Sequence, residues 1–425
     1  MKKNIAIIAF AIAAATSCAD KLNLTPYTAI APSAVTESDV PQLRIGMYWK
    51  VQELPERTTY ILNDLLGGNL TQKNNTSTLA LANSILNAQS SITGDAWKGS
   101  YKAIYQVNNV IEAADGLPEG DTKNLVLGEA YYFRAFLHLG LVTHFGDVPL
   151  MLKNTSVDVP RTEASKVWAA IEEDLDASIK LLGSSESRYY VSQDAATALK
   201  ARVMLYRGKN AKALQLAESL IEKGTYKLDS FEKIFRGGTD SETIFAFKCA
   251  TEDGSGITLS TLFYSYNHPN KGSYVYQPAP DVMTLFSDED NRKEITVTTL
   301  DNLNFINKYP SGQIGSDPVI ISRIAEMYLI SAEAAGLYEG GLERLNELRT
   351  ARGLAAVSPR SEEAFAEAVA LERRKELVGE NHLFYDLVRT GKAVETLGIQ
   401  DYQTLLPVPE SELQNNGKLD QNDKY

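Results

Sequence analysis

From about Asp39 to Ile234 the apolar residues of this chain recur mostly at three- and four-residue steps, a period that only packed helices can bury. A helix is expected over 40–52, with Leu43, Met47 and Val51 on one stripe, and a longer one over 95–114, striped by Trp97, Tyr101, Ile104, Val107 and Ile111. Residues 125–145 are apolar almost all round, so they read as a buried central helix that stops at Gly146-Asp147-Val148-Pro149. Helices over 164–182, 193–207 and 211–223 follow, the last two joined by Gly208-Lys209-Asn210 into a hairpin. Small residues at helical spacing (Ala195, Ala198, Ala201, then Ala213 and Ala217) let such helices approach closely, as tetratricopeptide-type hairpins do. Strict 34-residue repetition is absent, so degenerate repeat packing is expected rather than a regular solenoid.

The period breaks between about Tyr226 and Pro318, where glycine, asparagine and short β-prone runs (243–247, 295–300) replace it. Helix is expected again over 319–338, 341–352 and 361–379, the last opened by Ser361 as cap with Glu362 and Glu363 in its first turn. In the 319–338 helix Arg323 and Glu326 would pair within the helix or reach Arg373 and Arg374, a buried ion-pair network fixing register rather than a catalytic group. The fold class is thus mostly α with minor short strands. One domain over 39–425 is expected, with a helical-repeat part at 39–225, an irregular region at 226–318 and a helical part at 319–425.

The first residues read as a processed leader. Lys2 and Lys3 precede an apolar run from Ile5 to Ala15 too short to span a bilayer, and Ala15-Thr16-Ser17 sets small residues before Cys18. A cysteine directly after a cleavage site is what lipoprotein processing acylates, so residues 1–17 are expected to be removed, Cys18 lipidated, and 18–38 to form a tether broken by Pro26 and Pro32. Two acyl chains on one cysteine suffice for stable anchoring, so the membrane is touched only through the lipid. The other cysteine, Cys249, follows a β-prone run and reads as a small buried residue. Net charge is −12, two units more acidic once Lys2 and Lys3 leave, and no Lys/Arg cluster appears, which excludes nucleic acid as the partner.

Catalytic chemistry is sought without success. His138, His144, His268 and His382 show no metal-ligand spacing, and nucleophile-elbow, phosphate-loop, dinucleotide and zinc-protease motifs are missing. No catalytic residue, metal or cofactor is expected, although a glycosidase carboxylate pair is defined in space and stays an alternative. Trp97, Tyr101 and Tyr105 share a helix face and read as core before ligand platform. The run from Phe263 to Gln277 differs, because alternating aromatics flank Pro269-Asn270-Lys271-Gly272 as in a hairpin. Tyr264 with Tyr266, and Tyr274 with Tyr276, would then share faces able to stack on sugar rings, the alternative being cross-strand packing. A polar loop carrying Asp64, Asn69, Gln72, Lys73, Asn74 and Asn75 offers amides and charges for polyols.

Six ordered blocks then resemble the SusD/RagB family of outer-membrane nutrient-binding lipoproteins of Bacteroidetes. They begin with Trp97 to Asn109 and with Gly128-Glu129-Ala130-Tyr131-Tyr132-Phe133-Arg134-Ala135 running into Phe145 to Leu150. Ala196 to Val203, Ile321 to Ala334 with Leu345 to Arg349, and Glu372 to Leu377 follow, and Phe384 to Arg389 with Leu406-Pro407-Val408-Pro409 close the series. The resemblance implies a scaffold of tetratricopeptide-like hairpins, a ligand site in the irregular region, and a place on the extracellular face of the outer membrane. It implies as partners a SusC-like TonB-dependent transporter and a glycan, or alternatively a peptide. The chain is short for the family, with the loops near 69–89 and 279–315 trimmed.

Overall fold

A computed structural model describes residues 35–185, 187–237, 240–249 and 257–425. The leader, Cys18 and most of the expected tether lie outside the described residues. Among the described residues nine helices reach ten residues or more: α1 Val40–Glu53, α2 Ser91–Asp115, α3 Asp121–Phe145, α4 Ala164–Leu181, α5 Gln193–Tyr206, α6 Asn210–Glu222, α7 Ile324–Ala335, α8 Leu342–Ala351 and α9 Glu362–Leu377. Each packs mainly on its chain neighbours, α2 on α3, α3 on α4, α4 on α5, α5 on α6, and then α6 on α7 across the irregular region. The molecule is therefore mostly α, as expected.

Close packing explains the small residues. Ala195, Ala198, Ala201, Ala213 and Ala217 are fully buried where α5 and α6 meet their neighbours. At Gly99 a Cβ would strike the Leu54 carbonyl and Pro55, so only glycine lets the chain after α1 cross α2. Helix α3 is long and apolar enough to cross a membrane, yet 78% of its most apolar window is buried within the protein. Its charges are met internally. Glu129 accepts from Arg44 at 2.6 Å and from the Tyr48 hydroxyl at 2.8 Å, and Arg134 grips Asp174 at 2.6 and 2.8 Å.

Among the described residues six short strands form three antiparallel pairs: β1 Leu70–Gln72 with β3 Tyr276–Pro278, β2 Thr243–Phe247 with β6 Val319–Arg323, and β4 Val297–Leu300 with β5 Leu303–Ile306. The expected helix over 319–338 is corrected here, because its first five residues are β6 and helix begins only at Ile324. Val319, Ile320 and Ile321 are β-branched, and β2 supplies a ladder that buries both faces of the strand. Phe245 and Phe247 of β2 enter the main core against Tyr132 and Phe133 of α3, and Cys249 just beyond is buried.

The ion network also has other members than those expected. Arg323 binds Glu376 and Glu380, not Glu326, which instead takes Arg202 of α5 at 2.6 Å. Arg373 grips Asp386, and Arg374 reaches Asp281 and Asn69. Around Glu376 lies a knot of fully buried charge, with Arg292, Lys308, Arg323 and Arg352 facing Asp290, Glu242, Glu372, Glu376 and Glu380. Burial pushes the Glu376 carboxyl up, but Arg352, Arg323 and Arg292 outweigh it and hold it well below the usual carboxylate range.

Candidate functional site

The polar loop and the tyrosine run, far apart in sequence, are drawn together by the β1–β3 ladder, in which Gln72 faces Tyr276 and Leu70 faces Pro278. The Lys73 amide extends this contact by donating to the Val275 carbonyl at 3.2 Å. The two segments flagged separately thus form one surface.

Within it the residues divide. Asp64 is fully buried, accepting from the Asn69 side chain at 2.7 Å and from the Gly379 and Asn381 amides at 2.8 Å. Asn69 is buried too, its side-chain oxygen accepting from Arg374 at 3.0 Å. Both are corrected from candidate ligand groups to a clamp that ties this loop to the end of α9. These polar contacts are all made inside the protein. Lys73, Asn74 and Asn75 remain exposed.

The expected pairing of Tyr264 with Tyr266 and of Tyr274 with Tyr276 is likewise corrected. Residues 264–270 are mostly bends and turns and 271–275 have no regular structure, so no hairpin forms, and Lys271 and Tyr274 take positive φ (51° and 46°), which breaks the two-residue alternation. Tyr264 and Tyr274 turn inward against Phe305, with ring centroids 5.8 and 5.2 Å from it, and Tyr276 is buried in the main core. The Tyr264 hydroxyl donates to Asn307 at 2.7 Å, and burial pushes its pKa up to about 12. Tyr274 bonds Gln277 and the Asn304 carbonyl at 3.0 and 3.1 Å. Buried rings cannot stack on a ligand.

Tyr266 stands apart, at 73% exposure. Two residues further on, His268 packs against Tyr264 and Phe305 with ring centroids at 4.5 and 4.9 Å, so the inward rings form a pedestal for the loop that carries Tyr266. Lys271 lies 5.7 Å from the Tyr266 ring centroid and Lys73 lies 5.7 Å from that of Tyr274, each at cation–π range. Ile314, 67% exposed, is brought alongside because the Gln313 amide donates to the Asn270 carbonyl at 3.0 Å. Sequence reading missed Ile314, since a lone isoleucine in a glycine-rich loop carries no periodic signal. Chemically the surface offers one open aromatic face, an apolar neighbour, two ammonium groups and the amides of Asn74 and Asn75. Among the described residues no group of three or more His, Cys, Asp or Glu side chains is placed to hold a metal.

Residues 22–205 match a family model described as "Starch-binding associating with outer membrane", and residues 257–404 match one described as "SusD family". SusD-like protein P38 of Formosa agariphila is 24% identical, over 100% of this chain and 99% of its own length. A structure described as a laminarin-binding SusD-like protein superposes with TM-score 0.77 at 23% identity, covering 92% of this chain and all of its own. Surface glycan-binding protein A from Bacteroides thetaiotaomicron, solved with laminarihexaose, superposes with TM-score 0.78 at 20% identity over 91% of this chain and all of its own. Fold, ordered motifs and both family models agree, and the chain belongs to the SusD/RagB family.

Proposed function

We propose that this chain captures glycans at the cell surface and delivers them to a SusC-like, TonB-dependent outer-membrane transporter, without catalysing any change in them. The observation that carries the reading is Tyr266, an open aromatic ring with Lys271 at cation–π range, on a loop anchored by a buried aromatic pedestal. An aromatic face stacks on the apolar C–H face of a sugar while amides and ammonium groups bond its hydroxyls, and a rigid pedestal lowers the ordering cost of binding. Membership of a family described as starch-binding, and neighbours that bind laminarin and laminarihexaose, support a glycan as the ligand. A lipid on Cys18 would hold the chain on the extracellular face of the outer membrane, and delivery to a transporter follows from the family's role.

Calorimetric titration of the purified chain against a panel of glycans and peptides tests this. Binding of at least one glycan is expected, weakened about fivefold or more by Tyr266→Ala, the stacking of one ring being worth about 1 kcal/mol or more. Binding of peptides alone would move the reading to a peptide-capturing role. Release of new reducing ends from a bound glycan would overturn the non-catalytic part.

A further inference from the structure

Away from the Tyr266 surface, a cleft of about 330 Å³ opens between α2, the extended segment 149–159 and the short helix Glu410–Asn415. That volume is at the lower end of what small-ligand sites enclose. Its back wall is the aromatic stripe of α2. Trp97 is buried, Tyr101 is partly buried with its hydroxyl donating to the Pro149 carbonyl at 2.8 Å, and Tyr105 stands half exposed at the mouth. The opposite rim is fastened in place, since the Asn416 side chain donates to the Val159 carbonyl at 3.0 Å and Lys418 donates to the Asp158 carbonyl at 3.0 Å.

Hydrogen-bonding capacity inside the cleft is left unspent. The Tyr105 hydroxyl and the side chains of Ser156 and Asp158 make no hydrogen bond to other described residues. The Glu412 carboxylate has only Lys98, at 4.0 Å. An aromatic wall facing free hydroxyls and two carboxylates fits a polyol ring, whose C–H face stacks and whose hydroxyls donate to the carboxylates. The same carboxylates, Asp158 exposed and Glu412 partly exposed at the rim, repel anionic groups approaching the cleft. From this we infer that the cleft is a second saccharide site, selective for neutral sugars over sulfated or carboxylated ones. It rests on the reading of the chain as a glycan binder but not on the Tyr266 surface.

The test is calorimetric titration of the whole chain with laminarihexaose and with a sulfated oligosaccharide of the same length. The wild type, Tyr266→Ala, Tyr105→Ala and the double variant are compared. Tyr266→Ala is expected to leave residual binding of the neutral ligand, which adding Tyr105→Ala weakens about fivefold or more. The sulfated ligand is expected to reach the residual site only once Asp158→Asn and Glu412→Gln remove the repulsion. Should Tyr105→Ala leave the residual binding unchanged, or none survive Tyr266→Ala, the cleft holds no sugar while the Tyr266 surface keeps its role. Should Tyr105→Ala abolish binding and Tyr266→Ala do nothing, the cleft stands and the Tyr266 surface falls. A wild type that binds neither ligand nor any other glycan overturns both.

Discussion

His138 can hold only one proton in the folded chain. Its Nδ1 donates to the Arg134 carbonyl at 3.0 Å, and its Nε2 therefore has to accept the Met151 amide at 3.3 Å. Protonation would set two donors against each other beside Arg134. Burial accordingly lowers the pKa of His138, and likewise of His144, from 6.5 to about 4. With the folded pKa below the unfolded one, the unfolded chain takes up protons first as pH falls through 6.5. Stability is thus predicted to decline between about pH 6.5 and 4, by roughly 3 kcal/mol for each histidine. Thermal melts across that window should show the slope, and His138→Gln should make it shallower, the His144 share remaining. Below it Glu376 and Glu380, whose pKa values are depressed when folded, lose their contribution in the same direction. Residue identity alone did not reveal this, just as alternation did not reveal that Tyr264, Tyr274 and Tyr276 turn inward. Both depend on which groups the chain brings alongside, and for the tyrosines on two residues with positive φ.

Helices were legible as elements because a stripe at 3.6 residues survives any tertiary context, and α1 to α6 begin and end within a few residues of their expected limits. Strand β6 was not, because a segment buried on both faces has no period and its apolar run continues straight into α7. Packing between elements sets the next prediction. Gly99→Val would drive a branched side chain into the Leu54 carbonyl and Pro55 and force α2 away from the end of α1. A loss of about 1–3 kcal/mol is expected, read as a lower midpoint in urea denaturation with unchanged slope. At the half-buried Gly140, where nothing lies within 4 Å of the added Cβ, alanine should be neutral or slightly stabilising.

At the scale of the molecule, the proposed lipid anchor on Cys18 predicts that Cys18→Ala abolishes labelling by radioactive palmitate and moves the protein from the membrane to the soluble fraction. The mostly helical architecture and the family were readable in the sequence, whereas the joining of the two candidate loops by β1–β3 was not, because a three-residue ladder carries almost no pattern. The charge knot around Glu376 was only partly readable, as an ion network without its true partners. Removing one member, as in Arg352→Ala, should cost about 3 kcal/mol by leaving Glu242 and Glu376 with fewer buried cationic partners, measurable by chemical denaturation. The knot also has a direction along the chain. Asp290 and Glu242 are made before Arg292, Lys308, Arg323 and Arg352, but Glu372, Glu376 and Glu380 come last, so a chain emerging from its N-terminus carries more interior cations than acidic partners until its last helices appear. A version ending at residue 370 should stay protease-sensitive, and the whole protein should lock only when synthesis is nearly complete, which keeps it threadable for export until then.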